Sequence, residues 1–157
     1  MSKAFTREDD LGGAAELPER ILSSQPNLVT EKGLAAIEVE IARHTSRQSG
    51  ALAEEDRESA ARAARELRYW THRKASAQLM PPPLDDAEVR FGSTVTIVRD
   101  DGRKSTWRIV GEDEADPAKG TVSHVSPLAR ALMGKGVGDV VQAGATEAEI
   151  VVISVQP

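Results

Sequence analysis

Residues 125–141, VSPLARALMGKGVGDVV, hold one short helix between two punctuation signals. Ser126 is a good N-cap, because its hydroxyl can accept from an unpaired amide of the first turn. Pro127 suits the first helical position, where its missing N–H has no partner to lose. Leu128, Leu132 and Met133 supply the side expected to be buried. Gly134 ends the helix, since the residue after the C-cap often adopts a left-handed conformation that glycine tolerates. GKGVGDVV then leads back towards extended chain. By itself this is a helix built to cover one face of a sheet.

The flanking sequence provides the sheet. VRFGSTVTIVRD, residues 89–100, alternates and is rich in β-branched residues, so it predicts a strand. DDG at Asp100–Gly102 predicts a hairpin turn, and STWRIVG its partner strand. GEDEADPAKG reads as an acidic loop, TVSHV as a short strand and EAEIVVISV as a closing strand. Strands around one short helix imply an α+β domain with an antiparallel sheet, spanning residues 89–157.

Towards the N-terminus the period changes. Thr30 can cap a helix, with Glu31 in its first turn. Leu34, Ile37 and Ile41 follow at helical spacing. TSRQSG, residues 45–50, reads as a turn, and Ala51–Met80 as a second helix with Ala60, Ala63, Leu67 and Trp70 on one stripe. Two helices joined by a short polar turn pair antiparallel, as a hairpin or short coiled coil over residues 28–80. The plainer alternative is two helices laid on the C-terminal domain. Pro81–Pro83 end the second helix and open a linker over residues 81–88. Residues 1–27, broken by Gly12-Gly13, Pro18 and Pro26, read as an N-terminal arm, partly disordered or draped over the body.

Composition narrows the function. The net charge is −5, which argues against duplex DNA as a direct partner and favours basic protein surfaces. There is no cysteine, so disulfides, thiolate nucleophiles and cysteine zinc sites are excluded. His44, His72 and His124 fall in separate elements without metal-ligand spacing. GKGVG, residues 134–138, lacks the strand–loop–helix setting of a phosphate loop. No apolar run reaches membrane-spanning length and no signal pattern opens the chain, so a soluble, cytoplasmic protein without a membrane partner is expected.

Several ordered stretches then carry a resemblance. FGSTVTI (residues 91–97), WRIVGEDEAD (107–116) and SPLARALMGKGVGDVV (126–141) resemble the C-terminal domain of the bacterial Gre transcript-cleavage factors. PNLVTEKGLAAIEVEI (26–41) resembles their first helix. The similarity covers about residues 26–157 and is strongest after Val89. It implies an antiparallel coiled coil followed by an FKBP-like domain. It also implies docking at the rim of the RNA polymerase secondary channel, in a bacterial cytoplasm. Such a factor is not itself an enzyme. Acidic residues at its coiled-coil tip help the polymerase hold its own magnesium ion for hydrolysis of backtracked RNA, and no other cofactor is implied. The interface residues implied are Ser126, Pro127 and Leu128, with Asp113 and Asp116 of the acidic loop facing basic groups of the partner. A prolyl isomerase role is not implied, because the chain has few aromatics to build that pocket.

Two departures bear on activity. GALAEEDRESAA, residues 50–61, matches the family tip at Gly50, Leu52 and Glu54, but Ala51 stands where the family has aspartate. Alanine offers a magnesium ion no oxygen ligand. Glu54, Glu55 and Asp56 are the candidate magnesium-assisting residues. The resemblance also implies a hairpin about ten residues shorter per arm, hence about 15 Å less reach. The expectation is a monomeric polymerase-binding elongation factor with weak or no cleavage stimulation. The regulator of nucleoside diphosphate kinase is a relative of similar short-coiled design. The alternatives are a functional cleavage cofactor using the acidic tip, and a helical adaptor that does not bind polymerase and grips partners through Leu34, Ile37 and Ile41. RAARELRYWTHRK, Arg62–Lys74, is a basic stretch that offers a weak RNA or DNA contact or a solvated helix face.

Overall fold

The computed structural model describes residues 17–155. The arm reading of residues 1–16 therefore lies outside the described residues. The chain forms two compact units. One joins residues 17–22 with Val39–His72, and the other joins Ser23–Glu38 with residues 73–155. Both long helices contribute to both units.

Helix α1 runs Glu31–Ala53 and helix α2 runs Arg57–Ser76, and together they form the helical hairpin. The antiparallel pairing shows in the first unit as a groove lined by His44, Ala51 and Glu54 from one side and Ser59, Arg62 and Ala63 from the other. The turn expected at residues 45–50 is not there: those residues are helical. Thr45 is accommodated by donating its hydroxyl back to the Ile41 carbonyl at 2.7 Å. The helix stops instead at Glu54-Glu55-Asp56. The Glu55 amide donates to the Leu52 carbonyl and the Asp56 amide to the Ala51 carbonyl, at 3.2 and 2.9 Å. That is a Schellman end, with Glu55 at φ 57° in the place glycine usually takes. Asp56 then caps α2, its Oδ1 accepting from the Ser59 amide at 3.0 Å.

Helix α2 also ends sooner than its sequence suggests. It stops at Ser76, before the prolines, because residues 78–79 are taken by a strand. Strands β1 (Leu28–Val29) and β2 (Gln78–Leu79) pair in parallel as a two-stranded ladder. The stripe of Leu34, Ile37 and Ile41 faces inward, with Ile37 only 1% exposed and its neighbours half-buried.

The C-terminal sheet comprises β3 (Ser93–Arg99), β4 (Lys104–Val110), β5 (Thr121–Ser123), β6 (Val140–Ala143) and β7 (Thr146–Val155), in spatial order β5-β4-β3-β7-β6. All neighbouring pairs are antiparallel except β4–β5. That edge pair is parallel because loop 111–120 carries the chain back alongside the last three residues of β4, where Thr121 aligns with Arg108. Period-two alternation places Val95 and Ile97 in the core. In β7 the register slips by one residue between the partners of Thr96 and Ile97. This bulge lets Ile150 and Ile153, an odd number of positions apart, both face inward. Helix α3 (Pro127–Leu132) packs on β5 and β6. Ala129 and Leu132 are fully buried beneath it, while Leu128 and Met133 are only half-buried, so the sequence places two side chains too deep and misses Ala129.

Candidate functional site

The N-terminus of α3 is held tightly. Ser126 Oγ accepts from the Ala129 amide at 3.2 Å, as its residue type predicts. After the helix, Gly134 adopts φ 76° and donates to the Val89 carbonyl, while the Val89 amide donates to the Lys135 carbonyl, each at 2.8 Å. The helix is thereby tied at its start by a cap and at its end by the approach to β3. Pro127 is exposed on this rigid mount, and Leu128 packs part of its side chain against the core. The structure thus brings Ser126, Pro127 and Leu128 together with one solvent-facing apolar ring.

The acidic loop beside β4 is not a solvated run of charge, because its carboxylates are used inside the domain. Asp113 pairs with Arg73 at 2.5 Å, and the Arg73 side chain is only 3% exposed. Arg73 also donates to Asn27 Oδ1 at 2.7 Å and lies 3.7 Å from Glu112. Asn27 in turn donates to the Arg73 carbonyl at 2.8 Å. Glu114 accepts from the Thr30 hydroxyl, the Thr30 amide and the Gly111 amide. Thr30 is also the N-cap of α1, accepting from the Gly33 amide at 3.0 Å. A Cβ at Gly33 would stand 2.2 Å from the Glu114 carboxyl carbon, so a side chain there would push Glu114 off Thr30. Asp116 Oδ1 caps the 3-10 turn Pro117–Lys119 by accepting from the Ala118 amide at 3.1 Å.

This clasp is what sequence reasoning missed. Arg73 reads as one cation in a basic stretch, and Asp113 as one acid in a loop. Nothing local signals that residues 40 positions apart pair in a buried site. The basic stretch is neutralised elsewhere as well: Arg62 pairs with Glu58, Arg68 with Glu19, and Lys74 with Glu38. Arg20 pairs with Glu66 and covers the Tyr69 ring at 3.6 Å, a cation–π contact.

The hairpin tip uses its acids differently again. Glu54 and Glu55 are exposed, but Asp56 is committed to its cap. Hydrogen bonds from Ser59 hold the Asp56 carboxyl below its ordinary range. Ala51 is buried in the last turn of α1. Among the described residues no group of three acidic or histidine side chains is placed to hold a metal ion. His124 sits apart, edge-on to Phe91, and burial pushes its pKa down against the opposing field of Glu112. No helix among the described residues is long and apolar enough to cross a membrane.

Residues 84–157 match the family model described as "Transcription elongation factor, GreA/GreB, C-term". This C-terminal domain is of the type found in the Gre factors. It is 43% identical over 96 residues to the transcription elongation factor GreB of Neisseria meningitidis, covering 59% of each chain. It is 52% identical over 60 residues to a Bradyrhizobium GreA, covering 38% of each. The matches thus span 59% and 38% of the length of these two relatives. The solved Gre factor homolog Gfh1 of Thermus thermophilus is 21% identical, with a TM-score of 0.41 over 83% of this chain and 99% of that one.

Proposed function

We propose that this chain is a monomeric Gre-family elongation factor that binds RNA polymerase through its C-terminal domain at the secondary channel rim. In this reading it modulates elongation with weak or no stimulation of transcript cleavage, and any catalysis belongs to the polymerase. The observation that supports docking is the exposed Pro127 ring on a capped, core-anchored helix within a Gre-type domain. Pro127 and Leu128 form the apolar contact, and Ser126 fixes their geometry. Asp113 and Asp116 add negative potential that steers encounter with a basic surface, although their carboxylates are already engaged within the loop.

The weak-cleavage reading rests on the tip. Residues that would share a magnesium ion with the polymerase do not fit that task well here. Ala51 has no ligand oxygen, Asp56 is spent on a cap, and Glu54 and Glu55 lack a converging third group. At 1.5 Å per residue α1 and α2 span roughly 30–35 Å, and positioning errors of about 1 Å already cost catalysis.

Two assays test the reading. Pull-down with polymerase is expected to succeed and to be lost in Pro127→Arg and Leu128→Glu, with circular dichroism confirming that both variants fold. Retention by folded variants removes the interface assignment. A backtracked elongation complex incubated with the protein is expected to release 3′ RNA fragments no faster than polymerase alone. Rapid release that Glu54→Gln abolishes would overturn the weak-cleavage half.

A further inference from the structure

Beneath the first turn of α1 lies a cavity of about 340 Å³, within the size range of small-molecule sites. Its wall is apolar: Ala35, Met80, Pro81, Pro82 and Phe91. Its polar side carries Lys32 and Arg108. The same two cations also line a second cavity of about 540 Å³, which is bounded by the acidic loop. All of these residues belong to the C-terminal unit.

Arg108 carries the polar atom of interest at this cavity. Its Nε is buried and has no hydrogen-bond partner. Thr94, its cross-strand partner on β3, has a buried Oγ1 that is likewise unpartnered. Directly opposed residues of an antiparallel pair project to one face, so two orphaned polar groups stand side by side. Leaving a buried donor unpaired carries an uncompensated desolvation cost, larger when the group is charged. Acids are close by, since Asp113, Glu114 and Asp116 line the second cavity with Arg108. They are nevertheless bonded elsewhere: Asp113 to Arg73, Glu114 to Thr30 and Gly111, and Asp116 to the 3-10 turn. Arg73 is satisfied within the domain, while the Nε of half-buried Arg108 stands unpartnered beside an apolar cavity.

We infer that this cavity binds a small anion carried on a flat apolar ring. The anionic group, a phosphate or a carboxylate, takes the Arg108 guanidinium and the Lys32 ammonium as its partners. The ring lies on Phe91 and the Met80–Pro82 wall, where aromatic and proline faces stack well. Glu31, exposed on the rim, offers an acceptor to any N–H of the ring. Neither polymerase binding nor the hairpin tip enters this inference.

The test uses the full chain alone, observed by amide NMR during titration with adenosine monophosphate, phenylacetate and inorganic phosphate in parallel. Saturable shifts are expected at Lys32, Phe91, Gly92 and Arg108 with at least one of the two ring-bearing anions. Adenosine monophosphate alone identifies a phosphate ligand, and phenylacetate alone a carboxylate. Affinity should fall about tenfold or more in Arg108→Gln and in Lys32→Gln, and stay unchanged in Arg103→Gln, on the exposed β3–β4 turn. If Arg108→Gln does not fold, Lys32→Gln carries the same comparison from an exposed position. The inference is overturned by no saturable shift up to about 10 mM, by binding that a folded Lys32→Gln variant leaves intact, or by inorganic phosphate binding as tightly as either ring-bearing anion.

Discussion

The hairpin unit is lined by alanine and the sheet unit by isoleucine, valine and leucine. Within Val39–His72 the buried apolar side chains are Ala51, Ala60 and Ala63. In the sheet domain Val95, Ile97, Ile109, Leu132 and Ile150 are all fully buried. A buried methyl group contributes about 0.8 kcal/mol, a buried leucine or isoleucine side chain about 1.5–3 kcal/mol. Surface ion pairs such as Arg68–Glu19 add little, because solvent screens them. The hairpin therefore depends on helix propensity and on its ends, whereas the sheet domain depends on its core and on the Arg73 clasp. Local opening should therefore begin in the hairpin unit.

That contrast can be broken most directly at the clasp. Arg73→Ala removes the guanidinium that Asp113 and Asn27 share in a buried setting, and is expected to cost about 3–5 kcal/mol in urea unfolding. A loss below about 1 kcal/mol would mean that the charge cluster is incidental to the sheet domain. Next in size, Leu132→Ala is expected to cost about 3 kcal/mol, against about 1 kcal/mol for Ala63→Gly in the hairpin. Equal losses would erase the difference between the two regions.

Smaller changes sharpen it at the helix ends. Ser126→Ala should cost about 1 kcal/mol through the lost cap of α3. Glu55→Gly should instead raise stability by about 0.5 kcal/mol, by relieving a left-handed conformation at the hairpin turn. Thermal denaturation of both variants reads the two signs.

The smallest expected effect depends on pH. His124 has a lowered pKa in the folded state because burial disfavours its charged form. The fold therefore prefers the neutral ring. Its contribution is fully present above the ordinary imidazole value of about 6.5 and is lost as pH falls through the lower folded value. His124→Gln should flatten this part of the stability–pH curve, and an unchanged slope would assign it to other groups.

Local chemistry was readable wherever partners lie within one turn. Thr30, Ser126 and Gly134 act as their residue types indicate, and the alternation of STVTI gives β3 its inward face. The turn at residues 45–50 misled for the same local reason. Thr, Ser and Gly read as breakers, yet a helix with a paired face and a back-bonded Thr45 carries them. Glu55, in contrast, gives no sign in the sequence that it adopts the conformation of a glycine.

From one dimension alone came the α+β class, the helical hairpin, the short capped helix and the Gre resemblance, because caps, periods and turns act over a few residues. Tertiary structure alone assigned the charges. It joined Arg73 to Asp113, gave Glu114 to Thr30 and left Arg108 unpaired beside a cavity. Choosing among many carboxylates and many cations needs their positions in space, which chain order does not contain.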